Sequence, residues 1–130
     1  KRLLLTSLKL KVFWKNRFVR RRILSIGSAI CCPAVTLVKE NLDSFSFKNN
    51  IKSNIDWQAW EEISRRKGEF AYTARAGMEH RIHQESTTSE LIEENGRRAE
   101  DLYMFRKFWP GWVAKMIEKV YQKSEESNEV

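Results

Sequence analysis

No Asp or Glu occurs before Glu40, although the chain holds 17 acids in its 130 residues. Residues 1–39 carry ten Lys/Arg with no counter-charge, while residues 40–130 set fourteen Lys/Arg against all seventeen acids. The overall charge of +7 is therefore a +10 segment joined to a −3 remainder. A near-neutral body is the ordinary surface of a globular domain, so any attraction for anions is confined to the N-terminal segment.

Glycine and proline are also scarce, at 5 and 2 residues. An all-β sandwich or barrel needs more turns than these supply, and an apolar fraction of 42% is globular rather than disordered. A chain of 130 residues is long enough for one core and too short for two sizeable ones. The expected fold class is all-α: a small helical hairpin or bundle-like body with an N-terminal basic arm and a short apolar helix, for which membrane contact and burial in the protein core are both open readings.

The two cysteines, Cys31 and Cys32, are adjacent, a spacing that strains a disulfide and staples nothing together. No Asn-x-Ser/Thr site is present, which agrees with a reducing or organellar compartment. In their apolar surroundings both thiols are expected as small buried hydrophobes; lipidation beside a basic patch is the alternative.

Catalytic motifs are missing as well: there is no glycine-rich phosphate loop, Gly-x-Ser-x-Gly, His-Glu-x-x-His or Cys-x-x-Cys. Both histidines, His80 and His83, sit between Glu79 and Glu85, but two ligands three residues apart do not close a zinc site. The expectation is a chain that is not an enzyme, with no catalytic residue, metal, cofactor or small-molecule substrate.

What the chain does have begins at its N-terminus. Residues 1–22 interleave nine cations with Leu, Val, Phe and Trp, and their periodicity fits strand and helix about equally; helix is preferred. Lys9, Lys11, Lys15, Arg17, Arg20, Arg21 and Arg22 are the expected contacts to anionic lipid or RNA. Residues 23–38 form an uncharged apolar run of sixteen. As a helix it would reach about 24 Å, short of the roughly 30 Å of a bilayer core, with Pro33 straining its interior.

An Asn-, Ser- and Lys-rich stretch anchored by Phe45 and Phe47 marks a linker. The expected organisation is thus 1–40 basic arm plus apolar anchor, 41–54 linker, 55–123 helical body and 124–130 flexible tail. Ser53-Asn-Ile-Asp56 resembles a capping box before a helix starting at Trp57, whose inner face would carry Trp57, Trp60, Ile63, Phe70, Ala74, Met78 and Ile82. Glu61 and Glu62 stand four residues before Arg65 and Arg66, and Glu93 and Glu94 before Arg97 and Arg98, the favourable order for helical ion pairs. A break is expected near Ser86–Ser89, an interruption at Asn95-Gly96, and a firm stop at Pro110-Gly111 before an amphipathic helix of Trp112, Val113, Met116, Ile117, Val120 and Tyr121. Trp14, Phe105, Phe108, Trp109 and Trp112 are the expected partner or membrane interface, since Trp is enriched in both settings.

The acid-free, Arg-rich start also has the composition of a mitochondrial transit peptide. Because the chain opens on Lys1, the segment is expected to be retained rather than removed. These features point to a non-catalytic accessory or assembly subunit of a larger organellar protein complex, on the mitochondrial inner membrane or its matrix side, anchored by anionic lipid and bridging to other protein subunits. The alternative is an RNA-binding structural component of an organellar ribosome or other ribonucleoprotein.

Overall fold

The computed structural model describes residues 2–75 and 94–126, and every regular element among them is helical. Five α-helices follow in order: α1 (Arg2–Leu5), α2 (Arg17–Ile23), α3 (Ile55–Arg65), α4 (Glu94–Phe105) and α5 (Gly111–Glu126). Short 3-10 turns at Thr6–Lys9, Lys11–Phe13, Cys32–Ala34 and Lys39–Asn41 join the N-terminal pieces. No strand occurs among the described residues, so the all-α expectation holds.

The core is single and draws on both ends of the described chain. Leu8, Ile23 and Leu24 are buried together with Trp57, Trp60, Met104, Phe105 and Ala114. The N-terminal segment expected as a separate arm therefore supplies core residues. The stretch 41–54 is likewise tied down: Ile51 is buried, and Phe47 meets Trp60 edge-to-face at 6.2 Å.

The apolar run 23–38 is not a helix, which corrects the sequence expectation. Helix α2 ends at Ile23, Gly27 adopts φ 127°, and the only regular piece beyond it is the turn Cys32–Ala34 that contains Pro33. Freed from a helical ladder, the carbonyls here find other donors. Trp57 Nε1 donates to Leu24 O at 2.9 Å, Trp109 Nε1 to Ser25 O at 2.7 Å and Trp60 Nε1 to Ile30 O at 3.1 Å. A buried indole needs an acceptor and a buried carbonyl needs a donor, so each bond answers two requirements. Among the described residues no helix is long and apolar enough to cross a membrane.

Helix α3 starts two residues earlier than expected, and the capping box does not form. Its N-cap is Asn54, whose side chain instead donates to Asp101 Oδ1 in α4 at 2.7 Å. The expected inner stripe survives through Trp57, Trp60 and Ile63, but the helix stops at Arg65 and Phe70 and Ala74 follow in irregular backbone. Met78, Ile82, the break at 86–89 and the pairing of Glu93 fall outside the described residues. Asn95-Gly96 does not interrupt α4, which runs through both. Pro110-Gly111 does separate α4 from α5, with Ala114 N donating to Pro110 O at 2.9 Å. The two helices fold back on each other as a hairpin, joined by Arg98 Nε to Glu118 Oε1 at 3.6 Å and by Phe105 against Tyr121 at 5.6 Å.

Glu100 of α4 supplies the carboxylate ahead of α3 that the sequence placed locally. Its oxygens accept from the N–H groups of Lys52 and Ser53 at 2.7 Å each and from Asn54 at 3.3 Å. Burial pushes this carboxyl up, but the donors of Lys52, Ser53 and Asn54 outweigh it and hold it below the ordinary value of 4.5. A carboxylate depressed on folding stabilises above its unfolded value, and the gain disappears as pH falls through the folded value. Glu100→Gln should therefore cost about 1–2 kcal/mol at pH 7. In urea melts repeated from pH 7 to pH 3, the variant should lose less stability than the parent. The slope will not vanish, because Glu62 is also held low by its bonds to Lys48 and Arg66.

Candidate anionic-partner interface

The seven cations singled out from sequence fall into two sets. Asn16 caps α2, its side chain accepting from Val19 N at 3.1 Å, and the following helical turns point Arg20 and Arg21 inward. Arg20 is 1% exposed, donates to Arg66 O at 3.0 Å and lies 5.5 Å from the centre of the Phe70 ring. Burial, and then the nearby charge of Arg17, draw its pKa below the ordinary arginine value. Arg21 donates Nη1 to Glu61 at 2.7 Å and Nη2 to Lys107 O at 3.0 Å, with its guanidinium over Phe108. These two arginines hold the fold and are withdrawn from the expected contact set.

Glu61 explains why Arg21 is held. Its side chain is only 3% exposed, and Arg65 Nε at 2.6 Å and Lys107 Nζ at 3.9 Å complete its surroundings. Acids elsewhere are engaged too: Glu62 with Lys48 and Arg66, each at 2.9 Å, and Glu118 with Arg98. The expected pairs Glu61–Arg65 and Glu62–Arg66 both form.

Lys9, Lys11, Lys15, Arg17 and Arg22 are exposed and make no ion pair with any described residue. Arg22 stacks 4.2 Å from the Trp109 ring centre and 5.7 Å from Phe18, which orders its guanidinium without neutralising it. Four large apolar side chains share this segment and face solvent: Leu3 at 82% exposure, Leu10 at 58%, Val12 at 76% and Phe18 at 71%. From sequence, Phe13, Trp14 and Phe18 are the side chains expected at lipid headgroups or stacked on bases, whereas Leu3, Leu10 and Val12 are not singled out. The signal available was the alternation Lys9-Leu10-Lys11-Val12, which sets Leu10 between two lysines and Val12 directly after one.

The five expected aromatic contacts divide differently. Phe105 is fully buried, Phe108 and Trp109 pack against the core, and Trp14 is half-buried with Nε1 donating to Leu8 O at 2.7 Å. Only Trp112 stands out, at 70% exposure. The aromatic cluster around Pro110 is thus mostly core: Phe105 and Phe108 pack on Trp57, and Trp109 donates to Ser25 O.

Both thiols are exposed and free, against the expectation of burial, since the chain around them runs irregularly over the surface. Burial, Asp56 and Cys31 together push the Cys32 thiol up, away from the reactive thiolate. Among the described residues no group of three or more His, Cys, Asp or Glu is placed to hold a metal ion, and His80 and His83 lie outside them.

The two sets of cations should separate in a stability measurement. Arg21→Ala strips a buried carboxylate of its closest partner on α2 and should cost about 2 kcal/mol, whereas Arg17→Ala should stay within about 0.5 kcal/mol. Urea denaturation of both variants reads the difference directly. No protein-family model, curated protein or solved structure matches the chain, so what it does must follow from its own residues.

Proposed function

We propose that the protein is a non-catalytic anchoring and bridging subunit of a larger assembly, attached to an anionic membrane surface by residues 3–22. The observation that carries this is the mixture in one acid-free segment of five exposed cations, none ion-paired to a described residue, with exposed Leu3, Leu10, Val12 and Phe18. Attachment is peripheral, with side chains entering the headgroup region and the backbone remaining in the folded body. Each cation beside an anionic bilayer contributes about 1 kcal/mol, and each apolar side chain withdrawn from water about 1.5–3 kcal/mol before ordering costs. Neither contribution alone makes a lasting anchor, whereas the two together do.

An RNA-facing arm has less support. Stacking on bases uses aromatic faces, and of the segment's aromatics only Phe18 is strongly exposed; Trp14 is engaged with Leu8. Exposed Leu3, Leu10 and Val12 add little to phosphate binding. The matrix side of the mitochondrial inner membrane is the proposed compartment, on the grounds that residues 1–39 share the acid-free, Arg-rich composition of mitochondrial targeting segments and that this reading calls for an anionic lipid surface.

Co-sedimentation of the full chain with vesicles tests the attachment. Vesicles of phosphatidylcholine with about one-third phosphatidylserine should bind it at least tenfold more tightly than phosphatidylcholine alone. Leu10→Ser, Val12→Ser and Phe18→Ser combined should weaken that binding about tenfold or more while leaving the circular dichroism unchanged. Absence of vesicle binding would sink the membrane reading. Tight binding to structured RNA, steeply lost with salt and indifferent to the three apolar substitutions, would move the surface to nucleic acid.

A further inference from the structure

Helix α5 turns one face to the core, and no described residue covers the other. Ala114 is fully buried and Ile117 and Tyr121 pack against the core, while Trp112, Met116 and Val120 are exposed at 70%, 60% and 72%. Those three stand four residues apart and form one stripe along three turns of the helix. Lys115, Lys119 and Lys123, also exposed, stand four apart and form a second stripe directly beside the first. At about 100° per residue all six side chains fall within roughly 140° of arc. The one acid between Gly111 and Lys123 is Glu118, which faces Arg98 of α4 instead.

We infer that this outer face of α5 docks an acidic amphipathic helix of a partner protein, one that sets an apolar stripe against Trp112, Met116 and Val120 and a row of Asp or Glu against the lysines. Charge selects this occupant. A second copy docked through the same face would set lysine row against lysine row, because that face carries no exposed acid among the described side chains. Here Lys119 and Lys123 share the outward face with Trp112 and Met116, as required for side-by-side pairing with another helix. Trp112 is the expected energetic centre, being the largest exposed apolar side chain on the face. This supplies the bridging half of the proposed function but uses residues distinct from the membrane-facing segment, so either can fail alone.

The test uses the full chain and a labelled synthetic helical peptide of about three heptads, with Leu at the a and d positions and Glu at e and g. Saturable binding is expected at about 150 mM salt. Lys115→Glu, Lys119→Glu and Lys123→Glu combined should weaken it at least tenfold, and a peptide with Lys replacing Glu should regain the loss on that variant. Trp112→Ser should also weaken it about tenfold, whereas Lys9→Gln with Lys11→Gln should change it less than about twofold. The inference is overturned by absence of saturable binding, by equal sensitivity to the Lys9 and Lys11 substitutions, or by failure of the charge-swapped peptide to rescue. It is also overturned if the protein is a dimer that Met116→Ser dissociates, or if Trp112→Ser abolishes vesicle binding instead.

Discussion

The backbone from Leu24 to Ile30 has no helix to satisfy its carbonyls, and three indole N–H groups take their place. Trp57 and Trp60 reach it from α3, and Trp109 from the turn before α5. Each tryptophan buries a large apolar ring and places its single donor at an acceptor that would otherwise be stranded. The N-terminal segment is consequently stitched to the two parts of the chain that form the rest of the core. Trp57 in turn meets Phe105 at 5.1 Å and Phe108 at 6.4 Å, so the same ring carries the stitching through to α4 and the turn beyond it.

Charge follows from that arrangement. Once α2 is seated on α3, Arg21 lies against Glu61, and Glu61 and Glu62 of α3 are engaged by Arg21, Arg65, Arg66, Lys48 and Lys107. A buried ion pair of this kind adds little net stability, but removing one member strands the other, so it fixes which surface of α2 faces inward. The cations left outside are those with exposed aliphatic neighbours. Folding thus sorts a uniformly basic stretch into structural arginines and an exposed, amphipathic remainder, whose cations and apolar side chains are the basis of the proposed membrane attachment.

Helical class was legible in the sequence because few turn residues and three- to four-residue apolar spacing both reflect backbone geometry. The ion pairs Glu61–Arg65 and Glu62–Arg66 were legible for the same reason. Long-range choices were not. Nothing local says that Arg20 is buried while Arg17 is exposed, or that Glu100, forty-six residues past Asn54, supplies the carboxylate expected from a capping box. The apolar run 23–38 was misread because hydropathy counts side chains and is blind to indole donors elsewhere that can satisfy a non-helical backbone. Of the candidate site, the cations and Phe18 could be named from sequence, but the exposed Leu3, Leu10 and Val12 were indistinguishable from core residues until Leu8, Ile23 and Leu24 were seen to fill that role. On α5 both stripes were present in the sequence, and only the packing of Ala114, Ile117 and Tyr121 decided which face stayed open.

All of this depends on the basic segment being part of the folded body rather than a free arm. Amide hydrogen exchange resolves the point, because the N–H groups of Arg20, Leu24 and Ser25 donate to the carbonyls of Asn16, Arg21 and Arg22. These amides should be protected to a degree comparable with Gln58 in α3, whose N–H donates to Asn54 O. Exchange of the three at unprotected rates while Gln58 stays protected would contradict the account.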